Sequence, residues 1–357
     1  MDRFSRYSNC GNGNKKSFIK TNRAFFRRSP KIRGLKDFDY VDERSDQNAL
    51  GGYSEKYCIM ADRMYFRDLI EEIQNNPNSS YQTSYTREEI VSGQYPEHFS
   101  VYIKQPQDQK SVESDVFSSR ILNYLGTPVV YNRRIDKGYP DSWSEMFLMS
   151  VDAIRPNEKL VLLSDIVPYE ANADIKKFMR YGLKQTLDRI GEFVADYLKY
   201  ENIVCTAEDI DNYKKFLFVS ILGRTMLLGD GDFRNGNAGI LLDAKNNSFR
   251  PFPNMDMEKA FSSISTTMRF NYLKECYELY PDLYADFVKK MLILVDSEKG
   301  QKESNCSKIA RRTIRDKEMS KYFVDHLTEN AEAIWRETMQ IKSLCEGFEG
   351  GYKAMEN

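Results

Sequence analysis

Residues 216–242, FLFVSILGRTMLLGDGDFRNGNAGILL, set a densely apolar segment against a sudden run of Gly, Asp and Asn before the chain returns to an apolar strand. Residues 216–228 are apolar on most faces, as a buried helix requires, and residues 239–242 read as the start of a buried β-strand. The polar turn 232–237 is therefore mounted between two rigid elements. Asp232 and Asn237 stand five residues apart, a spacing that lets a carboxylate accept a hydroxyl proton while an amide oxygen further round the loop ligates a magnesium ion. The next acid, Asp256, follows a second short apolar strand in FRPFPNMDMEKAF (residues 249–261) and would supply another metal contact.

Working outward from that loop, residues 98–105, HFSVYIKQ, alternate as a strand does, with Phe99, Val101 and Ile103 on one face and Tyr102 and Lys104 on the other. Residues 111–130, SVESDVFSSRILNYLGTPVV, follow as a helix whose Phe117, Ile121, Leu122 and Leu125 share an arc, with Gly126 placed to end it. A strand lysine followed by such a helix suits Lys104 to the α- and β-phosphates of a nucleotide while a helix acid holds it. Asp115 and Glu113 border the apolar arc on either side, so either can be that acid. Taken alone, VYIKQ reads as an edge strand with a surface lysine.

Residues 145–153 and 159–167 read as two further strands, with a turn at Pro156 and Asn157. With the earlier strands they predict an antiparallel sheet carrying one helix. The second strand runs into Pro168, so residues 164–169, beginning Ser164, Asp165 and Ile166, are the expected hinge whose backbone meets adenine. Helices are expected over 60–74, 173–200, 210–228, from 268 onward, and over 318–341. Residues 259–267, rich in Ser and Thr, read as a polar loop of activation type. Near the start, Gly11 and Gly13 permit positive φ in a turn whose N–H groups suit phosphate; an unliganded hairpin turn accounts for the same residues.

The loop LLGDGDFRNGNAGILL with the following PNMD resembles the HipA-like serine/threonine kinase family, whose loop reads D-x-H-x-x-N or D-R-H-N-G-N. The resemblance implies an α+β, two-lobed protein-kinase-like fold, with a small antiparallel β N-lobe over residues 1–167 and a mostly helical C-lobe over 168–357. It implies ATP and Mg2+ as cofactors, Asp232 as catalytic base, Asn237 and Asp256 as metal ligands, and Lys104 clamped by Asp115 on the phosphates. The family's G-x-N-G-N-K-x-S segment, which covers the nucleotide, is matched by Gly11, Asn12, Gly13, Asn14, Lys15 and Ser17. An insertion over about 28–94 separates that segment from the lysine. The loop His of the family is replaced by Phe233 and Arg234, with Arg234 expected to support the loop electrostatically, and the Gly that follows the metal-binding Asp is replaced by Glu258.

Composition sets the remaining bounds. Among 357 residues, 52 Lys and Arg against 53 Asp and Glu leave a formal net charge of -1, so no global field points to nucleic acid or a membrane as main partner. The first forty residues are an exception: basic residues outnumber acids there, among them Arg3, Arg6, Lys20, Arg27 and Arg28, as a solvated arm or a surface for phosphates. Six scattered cysteines without a C-x-x-C, and two histidines, His98 and His326, argue against a zinc site or a disulfide framework. No apolar run is long enough to span a bilayer, so a cytoplasmic bacterial protein is expected, with export into a host cell left open. Expected partners are ATP, a protein substrate, and an antitoxin or host protein. The readings that remain are a protein kinase of toxin or effector type, a phosphoinositide kinase sharing the D-x-x-x-x-N loop, and a pseudokinase that binds nucleotide as a scaffold.

Overall fold

The computed structural model describes residues 39–42, 56–104, 108–136, 146–171, 173–261, 266–296 and 303–355. The matched glycine segment, Gly11, Asn12, Gly13, Asn14, Lys15 and Ser17, lies outside the described residues, as do Ser262, Ser263 and Ser265. Among the described residues the fold is mixed, with a five-stranded antiparallel sheet in the first half, a three-stranded antiparallel sheet shared between the halves, a short parallel pair (Tyr81–Gln82 with Val129–Val130) and a largely helical C-terminal part.

Strands β1 (Asp39–Asp42) and β2 (Lys56–Asp62) pair antiparallel. A single turn of 3-10 helix then leads into α1 (Arg67–Asn75), so the expected helix over 60–74 gives its first residues to a strand. The lysine strand β3 (His98–Lys104) pairs with β2 on one side. Its alternation is as expected, with Phe99, Val101 and Ile103 buried. Helix α2 (Gln109–Leu125) begins at Asp108, whose side chain accepts from Ser111 N at 2.7 Å, and stops at Gly126, where φ is 78° and a side chain would be strained. Strands β4 (Asn132–Asp136) and β5 (Met146–Val151) complete a five-stranded sheet of order β1-β2-β3-β5-β4.

Helix α2 packs on β4 and β5 with one face, where Val112 and Val116 close on Leu148, opposite Lys104 in the strand register. With the other face it meets the helical part, where Phe117 stacks with Phe261 and Phe323 at centroid distances of 5.7 and 5.9 Å. A helix buried on both sides has its register fixed by packing, and with it the direction of every side chain it carries.

The strand expected over 159–167 ends sooner and belongs elsewhere. Strand β6 (Glu158–Leu162) pairs with β7 (Gly239–Asp243), which pairs with β8 (Ser248–Pro251), in a separate three-stranded antiparallel sheet. Residues Leu163–Ile166 then form a short helical turn, with Ser164 and Asp165 exposed and Ile166 buried. Apolar runs such as LVLL and ILL pair because burial rewards it, and neither run states which sheet it joins. Gly239 permits the pairing: a Cβ there would lie 2.3 Å from Val161 O.

The helical part contains α3 (Leu183–Tyr200), α4 (Ala207–Ser220), α5 (Thr266–Leu279), α6 (Pro281–Val295), α7 (Asn305–Thr313) and α8 (Lys317–Met355). The helix expected over 173–200 is interrupted at Gly182, where φ is 88°. Helix α4 opens with a Thr206/Asp209 capping box and runs into a π-helical turn, Ile221–Leu227, buried throughout. Such turns add a residue to the helical repeat and re-aim side chains near functional sites. None of the described helices is long and apolar enough to cross a membrane.

Because the clash at Gly239 is with backbone, Gly239→Ala is expected to destabilise the protein by roughly 3 kcal/mol. Gly236→Ala, where the nearest atom to a Cβ is 3.9 Å away, is expected to change stability by less than about 0.5 kcal/mol; denaturant titration of both variants checks the pair.

Candidate functional site

Lys104 leaves the end of β3 and buries its ammonium group among carboxylates from two other elements. Nζ lies 2.9 Å from Asp115 Oδ2 on α2, 2.5 Å from Asp256 Oδ1 and 2.6 Å from Glu258 Oε1. The lysine side chain is 7% exposed and that of Asp115 fully buried. Burial alone would depress the Lys104 ammonium, but Asp115, Asp256 and Glu258 outweigh it and hold the group well above its ordinary value. Burial pushes the Asp115 carboxyl up to about 6, helped by the neighbouring Asp256 and Glu258 and opposed by Lys104.

Of the two acids that bracket the helix arc, the lysine meets Asp115. Glu113 is turned to Arg134 on β4, in a buried ion pair. Helix α2 also grips the segment after β8 through its backbone: Asp115 Oδ1 accepts from Met257 N at 2.6 Å, and Ser114 Oγ donates to Met257 O at 2.8 Å. Asp256 sits between these contacts in the left-handed region, φ 61°, a conformation uncommon for a residue with a Cβ and held here from both sides.

The loop of Asp232 is held by a residue that sequence reading left unassigned. Arg224, on the π-helical turn, is fully buried. It donates from Nε and one terminal nitrogen to Asp230 Oδ2 at 2.8 and 2.5 Å, and from its two terminal nitrogens to Met255 O and Asp256 O at 2.9 and 3.1 Å. Its guanidinium lies over the ring of Phe233, 4.3 Å from the centroid. Asp230 in turn accepts from Asp232 N through Oδ1 at 3.0 Å. One arginine thus joins the backbone at Asp256 to the backbone at Asp232. Its signal was present in the sequence, because a charge inside an apolar run such as 216–228 must find a partner if the run is buried.

Asn237 Nδ2 donates to Asp232 O at 2.9 Å, closing the loop on itself. Asn235 bridges to the segment before α3, accepting from Ile175 N at 2.9 Å and donating to Ala173 O at 3.1 Å. Arg234 is half exposed with Nε 3.8 Å from Asp232 Oδ1, so it stands at the rim while Arg224 braces the loop from beneath. The oxygens of Asp115, Asp256 and Glu258 approach within 4.8 Å of one another. Carboxylate oxygens are hard donors of the kind magnesium prefers.

No protein-family model matches the chain, and no curated protein matches it. Among solved structures it is similar to a proinflammatory kinase of Helicobacter pylori, CtkA, at 15% identity and a TM-score of 0.43, covering 70% of this chain and 90% of that one. It is also similar to a Shewanella oneidensis MR-1 structure of the toxin–antitoxin proteins HipA and HipB with operator DNA, at 11% identity and a TM-score of 0.39, covering 68% of this chain and 59% of that one. Function resides in sites and not in folds, and the functional reading therefore rests on the residues just described.

Removing Lys104 from its cluster of three acids leaves buried charge uncompensated. Lys104→Met is expected to cost about 3–5 kcal/mol. Adding Asp115→Asn to that variant should return about 1–3 kcal/mol through the coupling between the two residues; a double-mutant cycle by denaturant unfolding reads both.

Proposed function

We propose that the chain is an ATP- and magnesium-dependent kinase that transfers phosphate to Ser or Thr of a protein. The observation that carries this reading is the buried Lys104, which joins a sheet strand, the Asp115 helix and the Asp256 segment at 2.5–2.9 Å. Phosphoryl transfer asks a protein mainly for positioning and charge stabilisation, and this cluster with the Asp232 loop supplies both.

In this reading the five-stranded sheet with α2 is a small lobe and the helical part a large one, with the nucleotide between them. The strand next to the lysine strand is β5, and the chain leaves the sheet at Val151. A small cavity of about 10 Å³ there, room for one water, is lined by Tyr102, Val151, Ala153, Ile154, Phe252 and Met255, so adenine would have to widen it. The adenine-facing backbone is accordingly assigned to residues 152–154, in place of the 164–169 segment, whose strand lies in the other sheet.

Lys104 would neutralise the α- and β-phosphates, with Asp115 fixing the ammonium. Asp232 would orient the acceptor hydroxyl and take its proton as the oxygen bonds to the γ-phosphorus; the bond to the β–γ bridging oxygen breaks and ADP leaves. Asn237 and Asp256 would hold magnesium, which supplies positive charge to the phosphate oxygens. Arg224 keeps these two groups in register, because it bonds to backbone on the Asp256 side and, through Asp230, on the Asp232 side. A second reading, a nucleotide-binding scaffold without transfer, draws on Glu258, whose carboxylate sits 2.6 Å from the lysine that would meet the phosphates.

Incubation with radiolabelled ATP and magnesium, paired with thermal unfolding, tests the proposal. Wild-type protein should incorporate phosphate into itself or a lysate protein, and Asp232→Asn should lower the rate at least about a thousandfold while keeping most of the Mg-ATP stabilisation. Asp256→Asn should lose both transfer and the magnesium-dependent part of the stabilisation. Stabilisation without any transfer by the wild type would give the site to the scaffold reading.

A further inference from the structure

The carboxylate of Asp232 is ringed by cations from three separate parts of the chain. Lys176 Nζ, on the turn Ile175–Lys177, is 3.8 Å from Oδ1; Arg234 Nε is 3.8 Å from the same oxygen; Lys259 Nζ, beyond Asp256, is 4.0 Å from Oδ2. All three side chains are at least half exposed, at 54%, 50% and 70%. None is near enough to donate a hydrogen bond to that carboxylate, and none makes another ion pair among the described residues.

The nearby acids are engaged elsewhere: Asp230 pairs with Arg224, Asp256 and Glu258 face Lys104, and Asp174 accepts from Lys176 N at 3.0 Å. The described charges within 4.0 Å of the Asp232 carboxylate are therefore these three exposed cations.

Resting on the kinase reading, we propose that Lys176, Arg234 and Lys259 form an anion-binding rim, and that the acceptor is a Ser or Thr flanked by acidic side chains in a peptide segment. Exposed ion pairs at these distances are weak, so an incoming carboxylate displaces little and gains charge-assisted hydrogen bonds. Charges at a rim act chiefly on partner choice and encounter. The three cations come from three parts of the chain and their side chains are exposed, so they are open to the acidic side chains of an incoming peptide.

The test uses full-length protein, radiolabelled ATP with magnesium, and three degenerate Ser/Thr peptide pools whose flanking positions are acidic, neutral or basic. Vesicles of phosphatidylinositol serve as a fourth acceptor. The acidic pool should be preferred over the basic pool by roughly tenfold, and the preference should shrink as salt is raised. Lys176→Glu combined with Lys259→Glu should invert the order of acidic and basic pools, an outcome that a folding defect would not produce. Equal use of the three pools, or an order unmoved by the charge reversal, overturns the rim while leaving the kinase reading standing. Transfer to vesicles and not to peptides overturns it in favour of a lipid acceptor, and no transfer to any acceptor removes the kinase reading and the rim together.

Discussion

An ammonium group buried with three carboxylates around it is the constraint on which the described architecture turns. Lys104 is the point where the five-stranded sheet, the helix α2 and the segment after β8 meet. A buried pair of this kind is poor as a source of net stability, because desolvation offsets most of the attraction. Its value is geometric. If β3, α2 or the Asp256 segment shifts, a charge is left unpaired in a dry site, so the three elements hold one another in register. The backbone bonds from Ser114 and Asp115 to Met257 add direction to that constraint.

A second buried charge does the same work one layer below. Arg224 spends its donors on Asp230 and on two carbonyls next to Asp256, and Phe233 covers its face. The aromatic residue that follows Asp232 is thereby explained: an apolar ring in that position is what a buried guanidinium from the preceding helix stacks upon. Two rigid supports, one from the sheet side and one from the helical side, meet at Asp256, and its left-handed backbone is the joint between them.

Much of this was legible in the sequence where the signal is local. Alternation over 98–104 and the apolar arc ended by Gly126 identify β3 and α2, and the mixture of Asp232, Asn237 and Asp256 with flanking apolar runs marks the loop. The departures are non-local. Residues 159–162 read as a strand, but their partner is β7, about eighty residues later, and an apolar run does not name its partner; Ser164, Asp165 and Ile166, the expected hinge, follow that strand in a short helical turn. The choice between Glu113 and Asp115 also depended on a strand outside the pattern, since Arg134 on β4 claims Glu113. Lys176, Arg234 and Lys259 meet only because the turn before α3 and the segment after Asp256 fold over the same loop.

In the proposed kinase the nucleotide's phosphates would meet the ammonium of Lys104 and its magnesium the oxygens around it. Calorimetric titration of Mg-ATP into wild type and Lys104→Met, each repeated with magnesium chelated, addresses that directly, provided circular dichroism shows the variant folded. Binding that requires the metal and weakens at least about tenfold on loss of the lysine is the predicted result, whereas binding of equal strength to both proteins, or binding indifferent to magnesium, would contradict the central claim.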